Sequence, residues 1–237
     1  AFNCLNLGRF KLGIGATGGS KYYVGKAVQY AHERKQFGKS ITEFGLIRKK
    51  LADMTIRTFV SEGMNYRTAA LMDAQIATLD KQGADYTQKV MDVVEEFALE
   101  SSVAKIYGSE CIDYVIDEGL QILGGYGFLE EYPFAAAYRN IRINRIFEGT
   151  NEINRLLIPV MLFKKAMKGE LPLMEAIQAI LGELKEGWKS PVAGPLAQEV
   201  HQVKLAKKIA IYTAGVAAQK YMEKLRDKQY IAEFMAD

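Results

Sequence analysis

Apolar and small residues recur at three- and four-residue steps over most of this chain, a period that predicts helices almost throughout. From Phe10 to Tyr30 the step runs without interruption, and from Phe44 to Met72 it is carried by Leu46, Ile47, Leu51, Met54, Phe59 and Met64. Between them KQFGKSITEFG, with two glycines and Ser/Thr, reads as a connection, and Asp80 to Asp85, with Gly83, as a second break. A third long helix is expected from about Asp85 to about Leu123 on Val90, Val93, Val94, Ala98, Val103, Ala104, Ile106 and Tyr107, stopping at GGYG. A fourth runs from Asn151 to Lys168, with Ile153, Leu156, Leu157, Val160 and Met161 on one side. No segment alternates as a strand would. The expected fold is all-α, an antiparallel bundle of long helices.

Beyond Gly169 the texture changes. ELPLMEAIQAILGELKEGW reads as a shorter amphipathic helix, KSPVAGP as a linker, and Leu196 to Asp237 as one more long helix. Residues 169–237 are therefore expected to form a helical pair appended to a bundle over 1–168. Lysines opposite leucine, isoleucine and valine on this pair suit a membrane surface, but a solvated face over a packed one is the commoner explanation.

Composition narrows the function classes. With 237 residues, 49% hydrophobic and 25% charged, the chain is long enough for one large core or two smaller ones. Its net charge of +3 is dispersed among acidic neighbours rather than gathered in blocks, which argues against nucleic acid as a partner. Cys4 and Cys111 cannot build a disulfide framework, and no Cys/His cluster suggests a metal, so a reducing compartment is expected. No run approaches bilayer length, the first residues do not have the pattern of a secretory leader, and the chain is expected to open partway through an ordered segment. It reads as a soluble piece of something larger.

Some patterns mislead. Gly13, Gly15 and Gly18 fit the spacing of a dinucleotide-binding loop, but that motif needs a preceding strand, so close helix packing is expected instead. His32 and His201 stand apart from other ligand types, and Trp188 and the tyrosines read as core material. One acid stands out: Glu148 in RIFEGTNEI. Ile146 and Phe147 would desolvate it and raise its pKa, Gly149 lets backbone approach a ligand, and Thr150 is placed to cap the next helix. A solvent-exposed acid in a capping loop would have the same local sequence.

Three separated motifs change that balance: HERKQFGKSITEFGLIRKKLADM (32–54), QILGGYGFLEEYP (121–133) and RIFEGTNEI. In order and spacing they resemble the C-terminal helical domain of acyl-CoA dehydrogenases over roughly residues 1 to 168, and the helices after Gly169 resemble those of the very-long-chain branch. In that family an N-terminal helical domain and a middle β domain come first, and neither is present here. The resemblance implies an FAD enzyme that oxidises fatty acyl-CoA at its α and β carbons. Glu148 then matches the base that removes the α proton while the β hydrogen leaves as hydride. Some members carry the base on the first helix, just before an arginine; that position is Gly8, before Arg9, which leaves Glu148 as the base and gives it room.

The same resemblance implies the binding residues. Arg34, Gln36, Phe37, Phe44 and Gly45, with Gln121, Ile122, Leu123, Gly124 and Gly125, match positions that reach the FAD of a neighbouring subunit. Arg34 would pair with phosphate and the two glycines would let backbone pass close to the adenosine half. Gln36 and Phe44 depart from the residues often found there. Thr150, Asn151 and Glu152 match FAD contacts within the site, and Asn6, Leu7, Gly8, Arg9 and Gly149 match positions near the acyl-CoA. Fatty acyl-CoA as substrate, a homodimer, and an electron-transfer flavoprotein as acceptor are implied, in the cytoplasm of a bacterium or the mitochondrial matrix of a eukaryote. A flavoprotein oxidase and a non-catalytic helical assembly module are the alternatives.

The spacing of Arg9 and Arg34 is independently informative. Twenty-five residues are about seven turns, so on one unbroken helix the two share a face roughly 37 Å apart and one helix serves two sites. The alternative is that both are merely solvated.

Overall fold

The computed structural model describes residues 2–187 and 193–237. Trp188 and residues 189–192 of the expected linker lie outside the described residues. The described residues form α1 (Phe2–Glu33), a hairpin of β1 (Lys35–Gln36) and β2 (Lys39–Ser40), α2 (Gly45–Ile76), α3 (Tyr86–Glu96), α4 (Ala98–Leu123), the single turn α5 (Gly125–Phe128), α6 (Pro133–Ile141), α7 (Asn151–Met167), α8 (Leu173–Glu186), α9 (Ala197–Tyr221) and α10 (Gln229–Ala236). The all-α architecture expected from the periodicity is what the chain adopts. Two compact units divide between Asn154 and Arg155.

In the first unit α1 and α4 make the principal contact, and small residues bring their backbones together. A Cβ at Gly13 would lie 2.7 Å from the Ala104 carbonyl oxygen, and one at Gly108 would lie 3.0 Å from Gly13. Close packing is therefore right for Gly13. Gly15 and Gly18, however, are exposed and a Cβ at either would meet nothing. One apolar cluster includes Ala27, Ala31, Met54, Val115, Ile116 and Phe134, and a second Phe10, Met72, Val93, Phe97 and Ala104.

Three local expectations are corrected here. The third long helix is two, because Phe97 leaves helical geometry (φ −90°, ψ 22°) while its ring is buried in the second cluster. Burial of that ring overrides a continuous period. The helix α6 carries no counterpart in the sequence reading; Pro133 opens it and Phe134 anchors it against Gly119 and the ring of Tyr23, 5.3 Å away. On α2 the expected apolar stripe is partly inverted: Leu46 and Phe59 face solvent, while Met54, Thr58, Ser61, Asn65, Thr68 and Met72 are buried. These polar residues are tolerable inside because each finds a partner. Thr58 and Thr68 donate back to the carbonyls of Met54 and Met64, and Ser61 and Asn65 meet Thr17 of α1 at 2.7 and 2.8 Å.

The connection after α1 is the short hairpin. Its turn residues Phe37 and Gly38 both have positive φ, 51° and 82°, as a two-residue hairpin loop matched to strand twist requires. Ser40 then closes a capping box with Glu43 and donates to the carbonyls of Ala31 and His32, which ties down the end of α1.

In the second unit Leu173, Ile177 and Ile180 of α8 and Ala214 and Ala217 of α9 are buried, and Gly215 lets Ile177 come close. Lys208 pairs with Glu183. The expected final helix is interrupted by a 3-10 turn, Met222–Asp227, before α10, and Arg155 binds the carboxylate of Asp237 at 2.7 Å. On α7 the expected apolar face is also corrected, since Ile153 and Val160 are exposed and Asn154 and Ile158 are buried. Among the described residues no helix is long and apolar enough to cross a membrane.

Candidate active site

The loop from α6 into α7 holds an unusual backbone. Glu148 and Gly149 are consecutive residues in the left-handed region, with φ of 58° and 80°. Glycine adopts that region freely, but a glutamate there costs on the order of 1–2 kcal/mol. Side chains from three helices hold the turn. Arg9 of α1 donates from Nε to the Glu148 carbonyl at 3.1 Å. Lys105 of α4 donates from Nζ to the Gly149 carbonyl at 2.8 Å and to Asn151 Oδ1 at 2.5 Å. Asn154 of α7 aims its Nδ2 at the carbonyls of Glu148, Gly149 and Thr150, at 3.4, 2.8 and 3.0 Å. The bonds from Arg9 and Lys105 have a charged donor and contribute roughly 1.5–3 kcal/mol each, enough to outweigh the strain.

The result is a defined place for the carboxylate. A Cβ built on Gly8 would lie 2.6 Å from Glu148 Oε2 and 2.7 Å from Oε1. The acid therefore stands over a glycine of α1, where no side chain competes for its place. It is half-buried. Ile146 and Phe147, expected to desolvate it, are themselves 48% and 46% exposed. Thr150 does cap α7, its Oγ1 accepting from the Ile153 N–H at 3.3 Å.

The clamp was not legible beforehand. Lys105 and Asn154 are fully buried, and neither stands out in sequence. The one available signal is a lysine set between Ala104 and Ile106 on a helix whose faces are buried nearly all round. Burial lowers the Lys105 pKa to about 8, against the opposing pull of Glu152; Arg9 lowers it further, while Glu110 and Glu148 raise it. Arg9 is also lowered by burial, with the Glu148 charge opposing. Asn154 Oδ1 is left without a hydrogen-bond partner, because three carbonyls on one side dictate which way the amide faces.

The remaining site residues divide by place. Asn6 and Arg9 are buried and joined, Nη1 to Oδ1 at 3.3 Å, whereas Leu7 faces out. The alternative that both spaced arginines are merely solvated fails at Arg9, which is 7% exposed. Asn151 turns inward to α4, donating from Nδ2 to Ser109 at 3.0 Å and Glu110 at 2.9 Å, while Glu152 is exposed.

At the far end of α1 lies an open cleft of about 470 Å³, lined by Arg34 and Gln36 on one side and Ile122 to Tyr126 on the other. Six of the expected residues thus meet there: Arg34, Gln36, Ile122, Leu123, Gly124 and Gly125. Gly124 ends α4 at φ 60°, ψ −136°, and a Cβ at Gly124 or Gly125 would meet nothing within 4 Å. Arg34 lies over the Tyr126 ring, 5.5 Å from its centroid. Phe37, Phe44, Gly45 and Gln121 do not line the cleft. Phe37 is 91% exposed at the hairpin tip, edge-on to Phe44 at 6.1 Å; Gly45 opens α2 and Gln121 is exposed on the last turn of α4. Among the described residues no group of three or more His, Cys, Asp or Glu side chains could hold a metal ion.

Residues 1–161 match the sequence model of the family described as acyl-CoA dehydrogenase, C-terminal domain. The chain belongs to the acyl-CoA dehydrogenase family. A probable acyl-CoA dehydrogenase of Bacillus subtilis is 44% identical over the whole of this chain, which corresponds to 40% of that protein. The mitochondrial very long-chain specific acyl-CoA dehydrogenase of Rattus norvegicus is 42% identical over 67% of this chain and 21% of its own. The crystal structure of an acyl-CoA dehydrogenase from Bacillus anthracis complexed with FAD superposes with a TM-score of 0.96 at 46% identity, over 100% of this chain and 40% of that one. The chain therefore spans about two-fifths of the length of these Bacillus relatives.

Proposed function

We propose that the protein carrying this chain is an FAD-dependent acyl-CoA dehydrogenase acting on long-chain fatty acyl-CoA, with Glu148 as the base that takes the α proton. The observation that carries the reading is the carboxylate seated over Gly8 on a turn whose carbonyls are fixed by Arg9, Lys105 and Asn154. A carbon acid beside a thioester gives up its proton only to a base held at close range and in one orientation, and such a turn supplies the orientation. Gly8 keeps α1 clear of the space that base needs. Closure of the pocket against water falls to parts of the protein outside this chain, which also accounts for the exposure of Ile146 and Phe147.

The cleft at the other end of α1 fits a dinucleotide. Arg34 supplies a planar cation for phosphate, and the bare backbone of Gly124 and Gly125 faces open space where a Cβ would stand in the way of a ligand. Arg34, Gln36 and Ile122 to Gly125 would hold FAD of a neighbouring subunit, with Phe37, Phe44, Gly45 and Gln121 around the rim; Thr150 and Glu152 would meet the FAD of the chain's own site. Asn6, Leu7, Arg9 and Gly149 would border the acyl-CoA, Asn6 and Arg9 by shaping its wall from within. FAD, when bound, supplies the acceptor for the hydride that leaves the β carbon. An electron-transfer flavoprotein would be the electron acceptor. The exposed apolar residues Leu46, Ile56, Phe59 and Val60 on α2 suit a homodimeric assembly. Residues 1–168 would constitute the catalytic helical domain and 169–237 its extension, with an N-terminal helical and a middle β domain preceding both.

The test uses the full-length protein across a ladder of acyl-CoA lengths with flavin content measured alongside. Glu148→Gln should retain flavin and lose acyl-CoA oxidation; wild-type turnover in that variant removes Glu148 from the chemistry. The 237-residue chain alone should bind FAD weakly and turn nothing over.

A further inference from the structure

Resting on that reading of Glu148, we propose that Lys105 and Asn154 are positioning residues for the base, acting through the backbone behind it. Neither makes a hydrogen bond to the carboxylate. Their bonds go to the carbonyls of residues 148 to 150, the peptide units whose orientation decides where the Glu148 side chain emerges. Both side chains are fully buried, and they arrive from different helices, so the turn is gripped from two directions. Lys105 also grips Asn151 Oδ1, which joins the first residue of α7 to the same frame.

The turn has reason to leave its position when that grip is lost. Glu148 is a non-glycine residue in the left-handed region, so removal of the donors leaves a strained backbone next to Gly149, the residue best able to absorb a change in φ and ψ. Arg9 alone would remain on the Glu148 carbonyl, at 3.1 Å. The carboxylate would then swing away from Gly8. The charged groups around Lys105 are Arg9 from α1, Glu110 from α4, Glu148 from the loop and Glu152 from α7. This mixed set holds a buried ammonium without one dedicated carboxylate partner, leaving its protons for carbonyl oxygens.

Lys105→Met and Asn154→Leu in the full-length protein test this, with Thr17→Val as a comparison that breaks the buried α1–α2 hydrogen bond to Ser61 at 2.7 Å. Flavin content, melting temperature, kcat and KM per bound flavin, and the isotope effect with α-deuterated acyl-CoA are read for each. In the Lys105 and Asn154 variants kcat per flavin should fall roughly 10- to 100-fold with KM little changed, and the α-deuterium isotope effect should grow as proton removal becomes limiting. Thr17→Val should lower the melting temperature with kcat per flavin unchanged. The proposal is overturned if both variants keep kcat per flavin within about twofold of wild type, or if both fail to give folded, flavin-loaded protein, which would assign Lys105 and Asn154 to folding instead. An inactive Glu148→Gln beside fully active Lys105 and Asn154 variants defeats only this inference, whereas an active Glu148→Gln defeats the reading beneath it.

Discussion

Gly8 and Glu148 occupy one another's space: the methyl group of an alanine at position 8 would lie 2.6 to 2.7 Å from all three atoms of the Glu148 carboxyl group. The conflict is with the far end of a flexible side chain, so it is resolved by moving the acid rather than the helix. Gly8→Ala should therefore keep or raise thermal stability, since alanine is better than glycine in a helix by about 0.5–1 kcal/mol. Acyl-CoA oxidation by the full-length protein should nevertheless drop by at least about tenfold, as a misplacement near 1 Å does at a reacting centre. Unchanged turnover with a raised melting temperature would show that the acid's place over Gly8 does not matter.

Two glycines on α1 should respond in opposite ways. Gly13→Ala drives a Cβ to 2.7 Å from the Ala104 carbonyl, backbone against backbone, and should cost about 1–3 kcal/mol. Gly15→Ala meets nothing and should add about 0.5–1 kcal/mol. Urea melts of the two variants decide, and equal effects would contradict the α1–α4 approach described above.

Gly124→Ala probes backbone alone. No atom lies within 4 Å of a Cβ there, yet φ 60° with ψ −136° is a glycine conformation. The substitution should cost on the order of 1–3 kcal/mol locally. In the full-length protein it should lower retained flavin, read from absorbance of the purified enzyme, if the cleft holds a dinucleotide.

Lys105 gives stability a direction with pH. Burial holds its pKa at about 8 in the folded chain, while in the unfolded chain it returns to about 10.4. Between those values the unfolded state carries more protons, so this group's contribution rises with pH. The stability difference between wild type and Lys105→Met should move in favour of wild type as pH climbs through that window, measured by denaturant titration at several pH values. A difference that is flat, or that moves the other way, would contradict the burial of an ammonium at this position.

Much of this molecule was legible in advance. The period of three to four marked where α1, α2, α7 and α8 run, because helical spacing needs only local geometry to be read, but not which faces of α2 and α7 are buried. Glu148, Gly8 and the cleft glycines were singled out from short motifs and their resemblance to a known family. The polar stripe of α2 was missed because threonine, serine and asparagine look like surface residues until their i−4 and interhelical partners are known. The break at Phe97 and the helix α6 were missed because single buried aromatic rings, not periodicity, decide both.

What the chain determined by itself was a set of helices, their glycine interruptions and one acid in a capping loop, since each depends on neighbours a few residues away. The place of the acid over Gly8, 140 positions earlier in the chain, followed from the resemblance and not from any local pattern, and only the tertiary structure decided that Lys105 and Asn154 would grip the turn beneath it. A left-handed glutamate is unfavourable in isolation. It persists because helices distant in sequence bring buried donors to its carbonyls, and no local pattern encodes where those donors arrive.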